Sequence, residues 1–281
     1  MRALRLAWSA RTATFVVHAL VGLAAVIAVA PISAMLESAL GDHPDGEALL
    51  LAHGGAAWVD ITYGWGDALR AGIVSPILVG TVVAIVSGPL TCGWIATIGR
   101  AEHGATHLVR QCVLLGPRAW LLEIVALAAR AAVAAIALGA GAGAAAVGGA
   151  LGDDRVAGIA AVAAFALAAL LLIPAGAATD LARAEIALGR GRVLPAAWLG
   201  LRAAVCAPHR TTAVYATLGS LGLALALVSL AAGELLAGPG GASAVAVLAA
   251  QQTLLLGRTF VRSCWLASCA LRVARPVNAT V

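Results

Sequence analysis

VAGIAAVAAFALAALLLIPAGAAT, residues 156–179, is a run of 24 residues without a single charge, and DLARAEIALG, 180–189, follows it at once. At 1.5 Å per residue a helix of that length covers about 36 Å, and the hydrocarbon core of a bilayer is about 30 Å thick. The run is therefore long enough to cross a membrane, and the Asp, Arg and Glu behind it mark where it leaves. Working outward, five further stretches reach that length: 14–36, 72–98, 119–149, 211–236 and 243–270. Of the 281 residues, 62% are apolar and 11% charged, with a mean hydropathy of +0.99. A soluble domain carries about 25% charged residues, and a chain this poor in them lacks the polar surface to fold in water. The expected fold is all-α: a single polytopic membrane domain over 1–281 with six transmembrane helices. The first of these, TFVVHALVGLAAVIAVAPISAML, follows MRALRLAWSAR and mimics a secretory signal. Its apolar run is too long and no small-x-small cleavage site follows it, so it reads as a retained helix.

The arginines give an orientation. All 18 basic residues are Arg, which with the abundant Ala and Gly reads as the coding bias of a GC-rich bacterium. Arg2, Arg5 and Arg11 precede the first span; Arg100, Arg110 and Arg118 follow the second. Arg183, Arg190, Arg192, Arg202 and Arg210 follow the fourth, and Arg272 and Arg275 the sixth. The alternate loops are acidic or short. The outer loop 37–71 holds Glu37, Asp42, Asp45, Glu47, Asp60 and Asp67 against Arg70. By the positive-inside rule both termini face the cytoplasm, and the expected location is the inner (cytoplasmic) membrane. That map puts Cys92, Cys112, Cys206, Cys264 and Cys269 on the reducing side, as unpaired thiols. Without a CxxC spacing they do not suggest zinc.

Arg-Ala-Glu occurs at 100–102 and again at 183–185, and each inward helix ends in an arginine: Arg100, Arg183 and Arg272. Ahead of each outward helix lies a basic stretch with a Trp. These are RALRLAWSAR (2–11), LVRQCVLLGPRAW (108–120) and RVLPAAWLGLRAAVCAPHR (192–210), with Trp8, Trp120 and Trp198 suited to headgroup depth. The pattern reads as three repeated helical hairpins with interfacial amphipathic helices, at 1–100, 101–183 and 184–275. The positive-inside rule alone would also place arginines at these ends.

The segments GAATDLARAEIALGRGRVLPAAWLGLRAAV (176–205) and GPLTCGWIATIGRAEHG (88–104) resemble a group of bacterial six-helix membrane proteins. That group includes the membrane domain fused to glycerophosphodiester phosphodiesterases. In it an inward helix ends in an Asp-x-x-Arg-like turn before an amphipathic stretch. Asp180 and Arg183 fill those places here, whereas the first copy has Thr97 in place of the acid. The resemblance implies a membrane module; it brings no catalytic residues, and the phosphodiesterase domain is absent.

Charges within a span cost at least about 2.5–3.5 kcal/mol each near the centre, so they are the candidate site residues. Glu123 and Arg130 lie seven residues apart in the third span; Arg258 and Arg262 lie at i, i+4 in the sixth. Counted from Ala119, Glu123 is about 6 Å deep and Arg130 about 16 Å; counted from Arg272, Arg262 is about 15 Å and Arg258 about 21 Å deep. Alternatively the sixth helix leaves the membrane near Trp265 and both arginines snorkel. The expected cluster joins Glu123 to Arg258 or Arg262 with Arg130 nearby. It is either an ion pair pinning two helices or a cationic site for an anionic group such as a lipid phosphate.

Other motifs do not suggest chemistry. Asp42, His43, Asp45, Glu47 and His53 match no EF-hand or His-x-x-x-His spacing, so no metal is expected. LGAGAGAAAVGGALG (138–152) lacks the Lys of a phosphate loop and suits close helix packing. His18, His103, His107 and His209 have no nucleophile beside them, and no Ser sits in GxSxG. Glu102 and Gly104 fail the spacing of the coupling segment in importer-type ABC permeases. No cofactor is expected, and no nucleic acid, since no dense basic cluster interleaves with aromatics. The expected partners are membrane lipids of anionic character and a protein partner. The expected function is that of a non-enzymatic scaffold or accessory module, with a transporter or lipid-handling protein as the alternative.

Overall fold

The computed structural model describes residues 1–40, 66–100, 104–151, 154–189, 192–236 and 241–274. Among the described residues all regular structure is helical: α1 (Arg2–Ser9), α2 (Arg11–Leu40), α3 (Gly66–Arg100), α4 (Ala105–Leu151), α5 (Asp154–Ala187), α6 (Val193–Cys206), α7 (Thr212–Leu236) and α8 (Gly241–Ala274). The acidic stretch 41–65, with Asp42, His43, Asp45, Glu47, His53 and Asp60, lies outside the described residues. Alanine, the best helix former, is frequent in α4, α5, α7 and α8. In lipid a helix also satisfies every backbone donor and acceptor within the segment.

Five of these helices are long and apolar enough to cross a membrane, over Arg11–Pro31, Ala105–Val133, Val162–Ala187, Thr212–Gly233 and Val245–Ala274. The expected second span, 72–98, falls within the continuous helix α3. Between 11% and 33% of each crossing window is buried, so the apolar side chains face outward along most of their length. Ile159 is 71% exposed, Leu170 66% and Leu230 67%. Such surfaces are compatible with lipid and not with water. The chain is a multi-pass membrane protein.

The chain divides into two compact units, Met1–Phe15 with Gly88–Val281, and Val16–Ser87. The second unit holds most of α2 and the first part of α3. In the larger unit the packed core lies toward one end of the helices, the end that carries the arginines. Its largest buried side chains include Ile95 and Ile98 of α3, Leu108 and Leu122 of α4, Ile186 of α5, and Trp265 and Leu266 of α8. Helix α5 packs against α4, α6, α7 and α8, and α8 also packs against α7 and α1. Gly200 lets α6 lie directly on α5, since a methyl group there would run into the Ala178 carbonyl. Gly189, in the left-handed region at φ 75°, ends α5 with its N–H donating to the Ile186 carbonyl at 3.0 Å.

Two of the three basic Trp-bearing stretches stand as separate short helices, α1 and α6. The third, 108–120, does not: it continues through Pro117 into the 47-residue helix α4. Proline costs one backbone bond, and packing on both sides of it, by Leu115 and Ala119, holds the helix together. At about 70 Å, α4 is more than twice as long as a hydrocarbon core is thick, so one part of it must lie outside lipid.

Candidate functional site

Four charged side chains from three helices meet in the packed end of the larger unit. Asp180 of α5 is almost fully enclosed, with 1% of its surface exposed. One carboxylate oxygen, Oδ1, accepts from Arg183 NH1 at 2.7 Å and from Arg262 NH2 at 2.8 Å. The other, Oδ2, accepts from Trp265 Nε1 at 2.9 Å and pairs with Arg262 NH1 at 2.6 Å. Arg183 also reaches Glu123 of α4, donating from Nε at 2.7 Å and from NH2 to the same oxygen, Oε1. The chain of contacts therefore runs from Glu123 through Arg183 and Asp180 to Arg262. Two carboxylates face two guanidiniums, and the formal charge of the cluster is zero.

The local sequence explains why the groups converge. Asp180 and Arg183 stand at i, i+3 on α5, one turn apart and on one face. Arg262 and Trp265 repeat that spacing on α8, so each helix presents two polar groups to the other. Glu123 needs room to approach, and Gly88 of α3 provides it: a β-carbon there would overlap the Glu123 side chain. The Cys92 thiol of α3 contacts the Arg183 carbonyl with its sulfur at 3.9 Å. Tyr215 of α7 closes the fourth side, its ring edge-on to Trp265 at 5.2 Å and beneath the Arg262 guanidinium at 6.0 Å. Its hydroxyl fills the space left by Gly176, 2.5 Å from where a β-carbon would stand.

Each residue expected from the sequence can now be located. Glu123 is bound by Arg183, and Arg262 by Asp180; the structure does not join Glu123 to Arg258 or Arg262. Arg130 is half-buried on α4 and Arg258 exposed on α8, and no hydrogen bond or ion pair reaches either among the described residues. Arg258 instead lines a cleft of about 310 Å³ with Tyr215, Gly219, Gly222, Arg262 and Trp265. The three terminal arginines have three different settings. Arg100 is exposed, and Arg183 is 7% exposed at the heart of the network. Arg272 lies over the Trp265 ring at 5.9 Å and donates to Thr211 Oγ1 at 2.8 Å and to the Arg210 carbonyl, pinning the turn between α6 and α7.

Sequence reasoning assigned Asp180 only a place in a helix-end turn, and it missed the parts played by Trp265 and Tyr215. The signal for Asp180 was present: an acid directly behind 24 uncharged residues and one turn from an arginine. No protein family, curated protein or solved structure matches this chain.

Proposed function

We propose that this chain is a non-enzymatic membrane scaffold or accessory module of the bacterial inner membrane. In this reading six helices span the bilayer as three repeated hairpins, with both termini in the cytoplasm. It touches anionic lipid and a protein partner, and its resemblance to the six-helix membrane modules supports its being a membrane module. The observation that carries the proposal is the saturation of the ion network. Both oxygens of Asp180 are engaged, its two guanidinium partners are balanced by two carboxylates, and three helices contribute the paired groups. A site that must bind and release a charged substrate keeps a charge in reserve. This one does not.

Helix lengths support a position for the network at the cytoplasmic edge. Twenty residues, about 30 Å, counted from the outer ends of the helices reach Ala132 on α4, Ile173 on α5, Thr217 on α7 and Phe260 on α8. Glu123, Asp180 and Trp265 then stand roughly 8–14 Å beyond the hydrocarbon. That is shallower than depths counted from Ala119 and Arg272, and it suits the reading in which α8 leaves the membrane near Trp265. Charges at this level need no partner to tolerate the membrane, so pairing them holds the helices together.

The test is a proteoliposome assay with a fluorescent phospholipid and a membrane-impermeant quencher. A scaffold leaves the inner-leaflet fraction protected. Quenching beyond the outer-leaflet half, abolished by Arg258→Ala, would favour lipid handling instead. That second reading draws on the exposed Arg258 in its cleft beside Tyr215 and Trp265.

A further inference from the structure

A second cleft, apart from the ion network, lies where α1 and the start of α2 meet α8. It measures about 750 Å³ and is lined by Leu4, Arg5, Trp8, Arg11, Thr12 and Phe260, with Ser9 at its edge. Its construction follows from the helix periodicity. Ala7, Ala10 and Ala13 are buried at 0%, 2% and 1% exposure, so small side chains fix one face of this segment to the core. The opposite face carries Leu4, Arg5, Trp8, Arg11 and Thr12, all exposed. Trp8 stands edge-on to Phe260 at 5.8 Å, and the Arg11 guanidinium lies over the Trp8 ring at 5.9 Å. Neither Arg5 nor Arg11 has a carboxylate partner among the described residues. In contrast to the neutral network, this cleft carries two positive charges and no negative one.

We infer that this cleft binds the phosphate of an anionic phospholipid, with Arg5 and Arg11 as its cationic ligands. The inference rests on the membrane reading of the chain and adds a site to it. Charge complementarity selects the headgroup: guanidiniums offer paired N–H donors to phosphate oxygens, and Thr12 lines the same cleft. The shelf of Leu4, Trp8 and Phe260 is apolar with a polar rim, which suits the start of an acyl chain. Depth agrees by two routes. Trp is the residue of the membrane interface, and Phe260 is the twentieth residue of α8, about 30 Å from its outer end. A soluble anion would use the arginines and leave the apolar shelf uncovered. The occupant is therefore a membrane lipid.

Native mass spectrometry of the full-length protein, purified in mild detergent and titrated with phosphatidylglycerol or phosphatidylcholine, tests this. The wild type is expected to retain phosphatidylglycerol in preference to phosphatidylcholine. The double variant Arg5→Gln/Arg11→Gln, whose substitutions lie on an exposed face, is expected to fold normally by circular dichroism. It should bind phosphatidylglycerol roughly tenfold more weakly or worse, as expected from losing two interfacial arginines. Arg110→Gln/Arg118→Gln removes the same charge elsewhere and should leave retention unchanged. Equal loss in both double variants would overturn the site in favour of general surface charge. Unchanged retention in Arg5→Gln/Arg11→Gln would overturn it outright, as would inorganic phosphate competing as well as the lipid. Each of these results leaves the membrane reading intact; a chain that stays folded and dispersed without detergent would overturn both.

Discussion

At the scale of single residues, Asp180 is the hub. Asn at this position keeps the shape but removes the charge, leaving Arg183 with Glu123 as its carboxylate and Arg262 with none. Breaking a buried pair by removing one partner costs about 3–5 kcal/mol. Asp180→Asn should therefore lower the thermal midpoint in detergent sharply, and a midpoint equal to wild type would contradict the network's structural role. Trp265→Phe removes one donor to a charged acceptor and should cost less, about 1–3 kcal/mol, before any loss of packing. The two arginines should differ as well. Arg262 keeps 36% of its side chain exposed against 8% for Arg183, so it can turn toward solvent when its partner is lost. Arg183→Ala should then be more damaging than Arg262→Ala in the same measurement. Glu123 and Arg262 were legible in the sequence because an isolated charge in an apolar run is conspicuous. Their partners were not, because Asp180 and Arg183 sit at the end of a run, where charges are ordinary. Nor does helical spacing show which face of α5 meets α4 and which meets α8.

Among the elements, the short basic helices show how far periodicity can be trusted. It separates α1 and α6 from the spans that follow them, each ahead of a break in the helix, at Ala10 and at residues 207–211. It also suggests a separate helix at 108–120, where the structure has one continuous helix through Pro117. The distinction lies in tertiary packing. Leu108, Leu115, Ala119 and Leu122 form one buried stripe across the proline, and a break there would pull the stripe apart. The attachment of α6 depends on Gly200, whose missing side chain admits the Ala178 carbonyl. Gly200→Ala forces the helices apart and should cost about 1–3 kcal/mol, the usual range for overpacking. Limited trypsin digestion checks this: cleavage after Arg192 or Arg202 should become faster in the variant. An unchanged digestion pattern would mean that α6 is held by other contacts.

On the scale of the whole molecule, composition was enough to name the solvent, and helix length refines where the solvent ends. A hydropathy profile finds apolar runs but not the packed ends that extend past them, because a buried Ala or Ile reads alike in lipid and in a core. The larger unit uses both environments. Its helices expose Leu, Ile and Val along their outer stretches and bury Trp265, Ile95, Leu122 and Asp180 toward the arginine-bearing end. In the proposed topology this end faces the cytoplasm, and Cys206, exposed at the end of α6, reports on it directly. A variant retaining only that cysteine, treated in spheroplasts with a membrane-impermeant maleimide, is predicted to stay unlabelled until the membrane is permeabilised. Labelling of Cys206 in sealed spheroplasts would contradict the account.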